Sequence, residues 1–233
     1  MTTSAHAGPA ALGRAAAGYV ENGMKVGLGT GRAAAEFVRA LGARVRDERL
    51  SIVGVPTSEA TRALAEKLDL PLITLAEAGV LDLTVDGADE VDPRLDLVKG
   101  LGGALVREKI VAASSRRLVI VVGAEKLVER LGVRTPVPVE VVPFGLSLCV
   151  RAVLALGAQP ALRGGASTPF VSDNGNYVLD CRFPGIDDAE SLDRALRDIP
   201  GVVGTGLFAG MAEQVLVQQG GEVRVLERGL GSP

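Results

Sequence analysis

Short apolar runs punctuate the first half of the chain: Lys25-Val-Gly-Leu28, Ser51-Ile-Val-Gly-Val55, Leu72-Ile-Thr74, Leu81 to Val85 and Leu118 to Val122. Between them lie stretches with helical character, Ala33 to Val45 and Glu59 to Leu68. Strand-length runs alternating with helices predict a mostly parallel sheet with helices packed on it, an α/β fold of the Rossmann-like kind. After Pro136 the pattern changes. Val137-Pro-Val-Glu-Val-Val-Pro143 opens a segment with a turn signal at Asp173-Asn-Gly-Asn176 and a predicted helix over 188–197. This reads as a smaller α+β domain. Val215-Leu-Val217 and Val223-Arg-Val-Leu226 look like strands that return to the first sheet. The expected organisation is therefore an α/β domain over 1–131 and 208–233 that carries an inserted α+β domain over 132–207.

Three motifs carry chemistry. The first, Gly27-Leu-Gly29-Thr-Gly31-Arg32, falls between a predicted strand and a predicted helix. It is not a dinucleotide fingerprint, whose third glycine comes one position later, and no acid ends the strand Ile52 to Val55 to take a ribose hydroxyl. No Gly-Lys-Ser/Thr follows either, so it is not a Walker A loop. A tight turn with a purely structural role and a helix N-terminus suited to phosphate both remain open at this point.

The second motif is Val85-Asp-Gly-Ala-Asp-Glu90, whose strand would deliver Asp86 and Asp89 to its carboxyl end, where open α/β sheets place their ligands. The pair could cap the turn, bind a hard cation such as magnesium or calcium, or serve in acid/base chemistry. The third is Lys99-Gly-Leu-Gly-Gly-Ala-Leu-Val-Arg-Glu108-Lys109. Its glycines let backbone N–H groups approach an anionic oxygen before a helix carries Glu108 inward.

The order, spacing and residue types of these motifs resemble the ribose-5-phosphate isomerase A family, from about Tyr19 to the end of the chain. That resemblance implies an aldose–ketose isomerase of the non-oxidative pentose phosphate pathway. Such an enzyme interconverts D-ribose 5-phosphate and D-ribulose 5-phosphate through an enediolate and needs no cofactor or metal. It assigns Glu108 as the base that moves a proton between C1 and C2, where the positive end of its helix favours the ionised carboxylate. Lys99 and the N–H groups of 100–102 would stabilise the developing oxyanion, Asp86 would work at the sugar oxygens, and Asp89 would orient the site. The substrate-binding positions it implies are Gly29, Thr30, Gly31, Arg32, Ala33, Gly87, Ala88, Gly100, Leu101, Gly102 and Lys126. It also implies a homodimer or homotetramer.

The chain departs from the family at several positions. Where the family's first loop continues with a serine and a threonine at the phosphate, this chain has Arg32 and Ala33; Pro9 and Ala10 stand where lysines are frequent, and Gly123 replaces an aspartate before Lys126. Phosphate recognition is thus the part in question. An arginine fork can replace two hydroxyls at a phosphate, and a solvated Arg32 is the alternative. Of the 25 basic residues only five are lysines, at 25, 67, 99, 109 and 126. Three of the five lie in motif segments, which points to positions that want a compact point charge; a helix-surface role remains open for Lys109.

Composition narrows the classes. The 233 residues are 47% hydrophobic, enough for one large core or two unequal ones, and the net charge of -3 without Lys/Arg runs disfavours nucleic acid as the main partner. Cys149 and Cys181 lack metal or disulfide-framework spacing, and the longest pure apolar run, Leu118 to Val122, is far too short for a membrane span. Met1 to Pro9 has no signal-peptide character, so a cytoplasmic protein is expected. The single histidine, His6, sits in a tail and is not expected to be a base. Two other classes compete. A sugar-phosphate sensor would normally carry a DNA-binding domain ahead of the first strand, where only about 20 residues precede it here. A coenzyme A transferase would use its glutamate as a nucleophile.

Overall fold

Val26, Leu28, Leu83, Val85, Val119 and Val121 are almost wholly shielded from water, as strands of a parallel sheet must be when helices cover both faces. A computed structural model of the chain describes residues 8–229, and His6 lies outside the described residues. The first elements are α1 (Pro9–Ala17), β1 (Lys25–Leu28), α2 (Arg32–Asp47), β2 (Val53–Pro56), α3 (Glu59–Lys67), α4 (Leu75–Ala78) and β3 (Leu83–Asp86). Then come β4 (Glu90–Val91), β5 (Leu97–Val98), α5 (Leu105–Ala113), β6 (Leu118–Gly123), β7 (Val137–Val141), α6 (Leu146–Ala155) and β8 (Gln159–Leu162). The chain closes with β9 (Tyr177–Arg182), α7 (Ala189–Arg197), β10 (Val202–Thr205), β11 (Leu207–Phe208), β12 (Gln214–Gln219) and β13 (Glu222–Glu227).

Two compact units result. The first comprises the chain up to Gly87, Ile110–Lys126 and the part from Met211 onward; the second comprises Ala88–Lys109 and Leu127–Gly210. In the first unit the sheet order is β13-β12-β6-β3-β1-β2, parallel throughout except that β13 runs antiparallel along β12. From β1 the chain goes outward to β2 and then returns across β1 to β3, so the strand order reverses between β1 and β3. Loops leaving the carboxyl ends of these two strands stand at the topological switch point, the usual ligand position of an open α/β sheet. Phe37, Leu41 and Leu12 fill the core beside the strands. At Gly13 a Cβ would meet the Glu36 backbone at 2.5 Å, so glycine is what lets α1 lie against α2.

One expected strand is not there. Leu72 makes only an isolated bridge with Gly54, because Thr74 and Glu77 form a capping box that turns the chain into α4. Local capping thus wins over the apolar run.

The second unit holds an antiparallel sheet, β10-β7-β9-β8, and a small sheet, β11-β5-β4. Its core includes Val98, Val139, Val141, Leu179, Leu196 and Leu207. Residues 88–109, expected in the first domain, pack here because β4 and β5 pair with each other and with β11. The Asp173–Asn176 turn is present between the bridged residues Val171 and Tyr177. It is anchored on the buried Glu140, whose Oε1 accepts from Ser172 Oγ at 2.8 Å, Asn174 Nδ2 at 3.0 Å and Asn176 Nδ2 at 2.9 Å.

Candidate active site

In the first unit, Asp86 is the last residue of β3 and is buried. Its Oδ1 accepts from Thr30 N at 3.0 Å and from Gly87 N at 2.7 Å, which ties the loop after β1 to the end of β3. Gly29 must be glycine here, since a Cβ would lie 2.3 Å from Asp86 Oδ1. Gly31 has φ of 102° and precedes α2 with no side chain capping it, leaving first-turn N–H groups for an external acceptor.

Thr30 is spoken for. Its Oγ1 lies 2.7 Å from Thr57 Oγ1, 2.8 Å from Ser58 Oγ and 3.1 Å from Thr61 Oγ1. Thr57 in turn donates to the Leu28 carbonyl and Thr61 to the Gly29 carbonyl, each at 3.0 Å. The four hydroxyls therefore satisfy one another and the ends of β1, and they leave little donor capacity for a ligand. Arg32 is exposed and, among the described residues, pairs with no acid. Ala33 offers only its N–H. Lys126, half-buried on a short 3₁₀ turn after β6, likewise has no ion pair among the described residues.

In the second unit, Lys99 directly follows β5 and Glu108 sits in the first turn of α5. Both are buried, and Lys99 Nζ stands 3.3 Å from Glu108 Oε2. The Lys99 ammonium also lies 5.4 Å from the centroid of the Phe208 ring on β11. Gly100 and Gly103 take φ of 101° and 85°, which an L side chain rarely adopts, and their turn closes through Gly103 N to Gly100 O at 2.9 Å. Asp89 Oδ2 accepts from Leu101 N at 3.0 Å. The Leu101 N–H, one of the donors expected of the 100–102 run, is thus engaged by Asp89. Glu90, the last acid of its motif, is a structural acceptor: the N–H groups of Gly132, Arg134 and Thr135 donate to it at 2.6–2.8 Å.

Lys109 is not a surface lysine. Its Nζ pairs with Asp193 Oδ1 at 2.9 Å, touches Thr205 Oγ1 at 3.2 Å and lies 5.0 Å from the Phe208 centroid. Burial pushes its pKa below the usual lysine value, against the opposing pull of Asp193. Among the described residues no group of three or more His, Cys, Asp or Glu is arranged to hold a metal ion. No helix there is long and apolar enough to cross a membrane.

Sequence reasoning did not single out Thr57, Ser58, Thr61, Phe208 or Arg163. The Thr57-Ser58 pair ahead of α3 was legible as a helix cap, which Ser58 provides by accepting from Thr61 N at 3.0 Å. Nothing in the sequence says which loops these residues meet.

The comparisons decide the family. The family model described as ribose 5-phosphate isomerase A (phosphoriboisomerase A) matches residues 53–222. The chain belongs to the ribose-5-phosphate isomerase A family. Among members of this family, the ribose-5-phosphate isomerase A of Roseiflexus castenholzii is 56% identical over 201 residues, covering 85% of this chain and 86% of the relative. That of Gloeobacter violaceus is 53% identical over 214 residues, with 91% and 93% covered. Among solved structures, ribose 5-phosphate isomerase A from Methanocaldococcus jannaschii superposes with a TM-score of 0.90 at 40% identity, covering 94% of this chain and 97% of that one. A D-ribose-5-phosphate isomerase in complex with phospho-erythronic acid gives 0.92 at 38% identity, with the same coverage. Membership, fold class and the α/β sheet expected from the sequence agree.

Proposed function

We infer that this chain interconverts D-ribose 5-phosphate and D-ribulose 5-phosphate, with Glu108 as the base. The observation that carries the reading is the buried Lys99–Glu108 pair at the edge of a glycine turn. Moving a proton between C1 and C2 needs one carboxylate serving both carbons and a cation for the oxygens that become negative in the enediolate. Glu108 and Lys99 supply these. Phospho-erythronic acid, bound by the related enzyme, has a carboxylate whose two coplanar oxygens resemble those of an enediolate, and this supports the same route here. Asp89 orients the glycine turn through Leu101 N, and to Asp86 falls, by the family resemblance, the exchange of protons with the sugar oxygens.

Phosphate recognition falls to the N–H groups of 31–33, to Arg32 and to Lys126, because the Gly29 and Thr30 N–H groups are bonded to the Val85 carbonyl and Asp86 and the Thr30 hydroxyl is engaged internally. Holding the phosphate fixes the carbon skeleton, so that remote binding energy lowers the barrier at the reacting carbons. Self-association would cover the apolar face of the second unit, where Phe144 is wholly exposed beside Leu148. A reducing, cytoplasmic setting fits two free buried thiols, Cys149 and Cys181. Incubating the protein with ribose 5-phosphate alone and following ribulose 5-phosphate tests the reading. Binding without turnover would instead favour the sensor alternative.

A further inference from the structure

Arg163, immediately after β8, reaches the glycine turn from more than sixty residues away. Its Nη1 donates to both the Gly100 and Leu101 carbonyls at 3.1 Å. The guanidinium is itself fixed: Nε and Nη2 form a fork on the Asp180 carboxylate at 3.0 and 2.5 Å, and the Phe170 ring lies 5.5 Å from it. Phe170 also packs on Gly103, where a Cβ would come within 2.4 Å of the ring.

This arrangement has a directional consequence. In a planar trans peptide the carbonyl and the following N–H point opposite ways. Two carbonyls drawn to one nitrogen therefore turn the N–H groups of Leu101 and Gly102 away from the guanidinium. The Leu101 N–H shows the direction, since it ends on Asp89 Oδ2 at 3.0 Å. The exposed Gly102 N–H is bonded to no acceptor among the described residues.

We propose that Arg163 is a positioning residue for the isomerisation: by holding the Gly100 and Leu101 carbonyls it aims the Gly102 N–H at the oxyanion of the enediolate. Flanking glycines at 100 and 103 would otherwise let these peptides rotate at little cost. A donor fixed before the reaction is worth most where charge develops, so its effect belongs to the transition state and not to ground-state binding.

The proposal rests on the isomerase reading above, and the test separates the two. Arg163→Lys and Asp180→Asn are compared with Glu108→Gln after circular dichroism shows each to be folded. For Arg163→Lys, kcat should fall by about 10- to 100-fold with KM within about threefold. Affinity for phospho-erythronic acid should fall by a similar factor, while ribitol 5-phosphate, which has no planar oxyanion mimic, should bind as before. Asp180→Asn should give the same pattern more weakly, and it decides the matter if Arg163→Lys does not fold. A folded variant with kcat within threefold of the parent, or with equal losses for both ligands, overturns the proposal. Retained activity in Glu108→Gln would instead overturn the isomerase reading, whatever Arg163 does.

Discussion

Lys99 Nζ stands 3.3 Å from Glu108 Oε2, and both side chains are almost wholly shielded from water. Two charges removed from water in this way lose several kcal/mol of hydration each, roughly what their attraction returns, so the pair is a poor device for stability alone. It makes sense as chemistry. In the proposed reaction the ammonium would stay beside the carboxylate that takes the proton and offset the negative charge that moves onto the sugar oxygens. The Phe208 ring closes the surroundings of the ammonium without offering it a competing anion.

Glu108→Gln keeps the shape of the side chain and removes the basic oxygen. Turnover should fall by about 10²- to 10⁴-fold or more while sugar-phosphate affinity largely survives. Measuring both on one preparation is decisive, and near-normal turnover would remove Glu108 from the role of base.

In the proposed reaction Lys99 would offset the charge of the enediolate, so that no Lewis acid is needed there. Exhaustive EDTA treatment should leave activity unchanged. A loss restored by magnesium would reassign Asp86 and Asp89 as metal ligands.

Arg32 is exposed beside a loop whose threonine hydroxyl is already engaged. Arg32→Ala should raise KM for ribose 5-phosphate by roughly tenfold or more, and unphosphorylated ribose should barely respond. Arg32→Ser with Ala33→Thr should recover part of the loss. An unaltered KM in Arg32→Ala would leave the phosphate to loop N–H groups and Lys126.

The Cys181 thiol on β9 is pushed by burial from 9.0 up to about 12. Between these values the unfolded chain has released this proton and the folded chain has kept it. The stability contribution is therefore complete below pH 9 and is lost as pH rises, by at most about 1.4 kcal/mol per unit. Denaturant unfolding of the parent should weaken with pH above 9 more steeply than that of Cys181→Ala. Parallel pH dependences would show that the thiol does not titrate in this way.

How much of this was legible beforehand depends on the range of the interaction. Alternation of apolar runs with helical stretches announced the parallel sheet, because burial on both faces imposes continuous apolar strands. Glu108, Lys99, Asp86 and Asp89 could be proposed from the sequence because strand ends, glycine turns and first helical turns are local features with local sequence requirements. Leu72 to Thr74 misled for the same reason: an apolar run does not reveal that a cap three residues on will end it.

The sequence by itself determined the family and the α/β order of elements, and it marked the acids, lysine and glycines to which the proposed chemistry is assigned. Only the tertiary structure decided which of those groups are still available. It turned the Thr30 hydroxyl inward onto Thr57, Ser58 and Thr61, committed the Leu101 N–H to Asp89, paired Lys109 with Asp193 and brought Arg163 onto the glycine turn. Hydrogen-bonding capacity is a property of type, but its use is set by partners 12 to 84 residues away in the chain. Burial enforces such pairings at a scale of about 1–3 kcal/mol for each group otherwise left unsatisfied, and no local pattern encodes them.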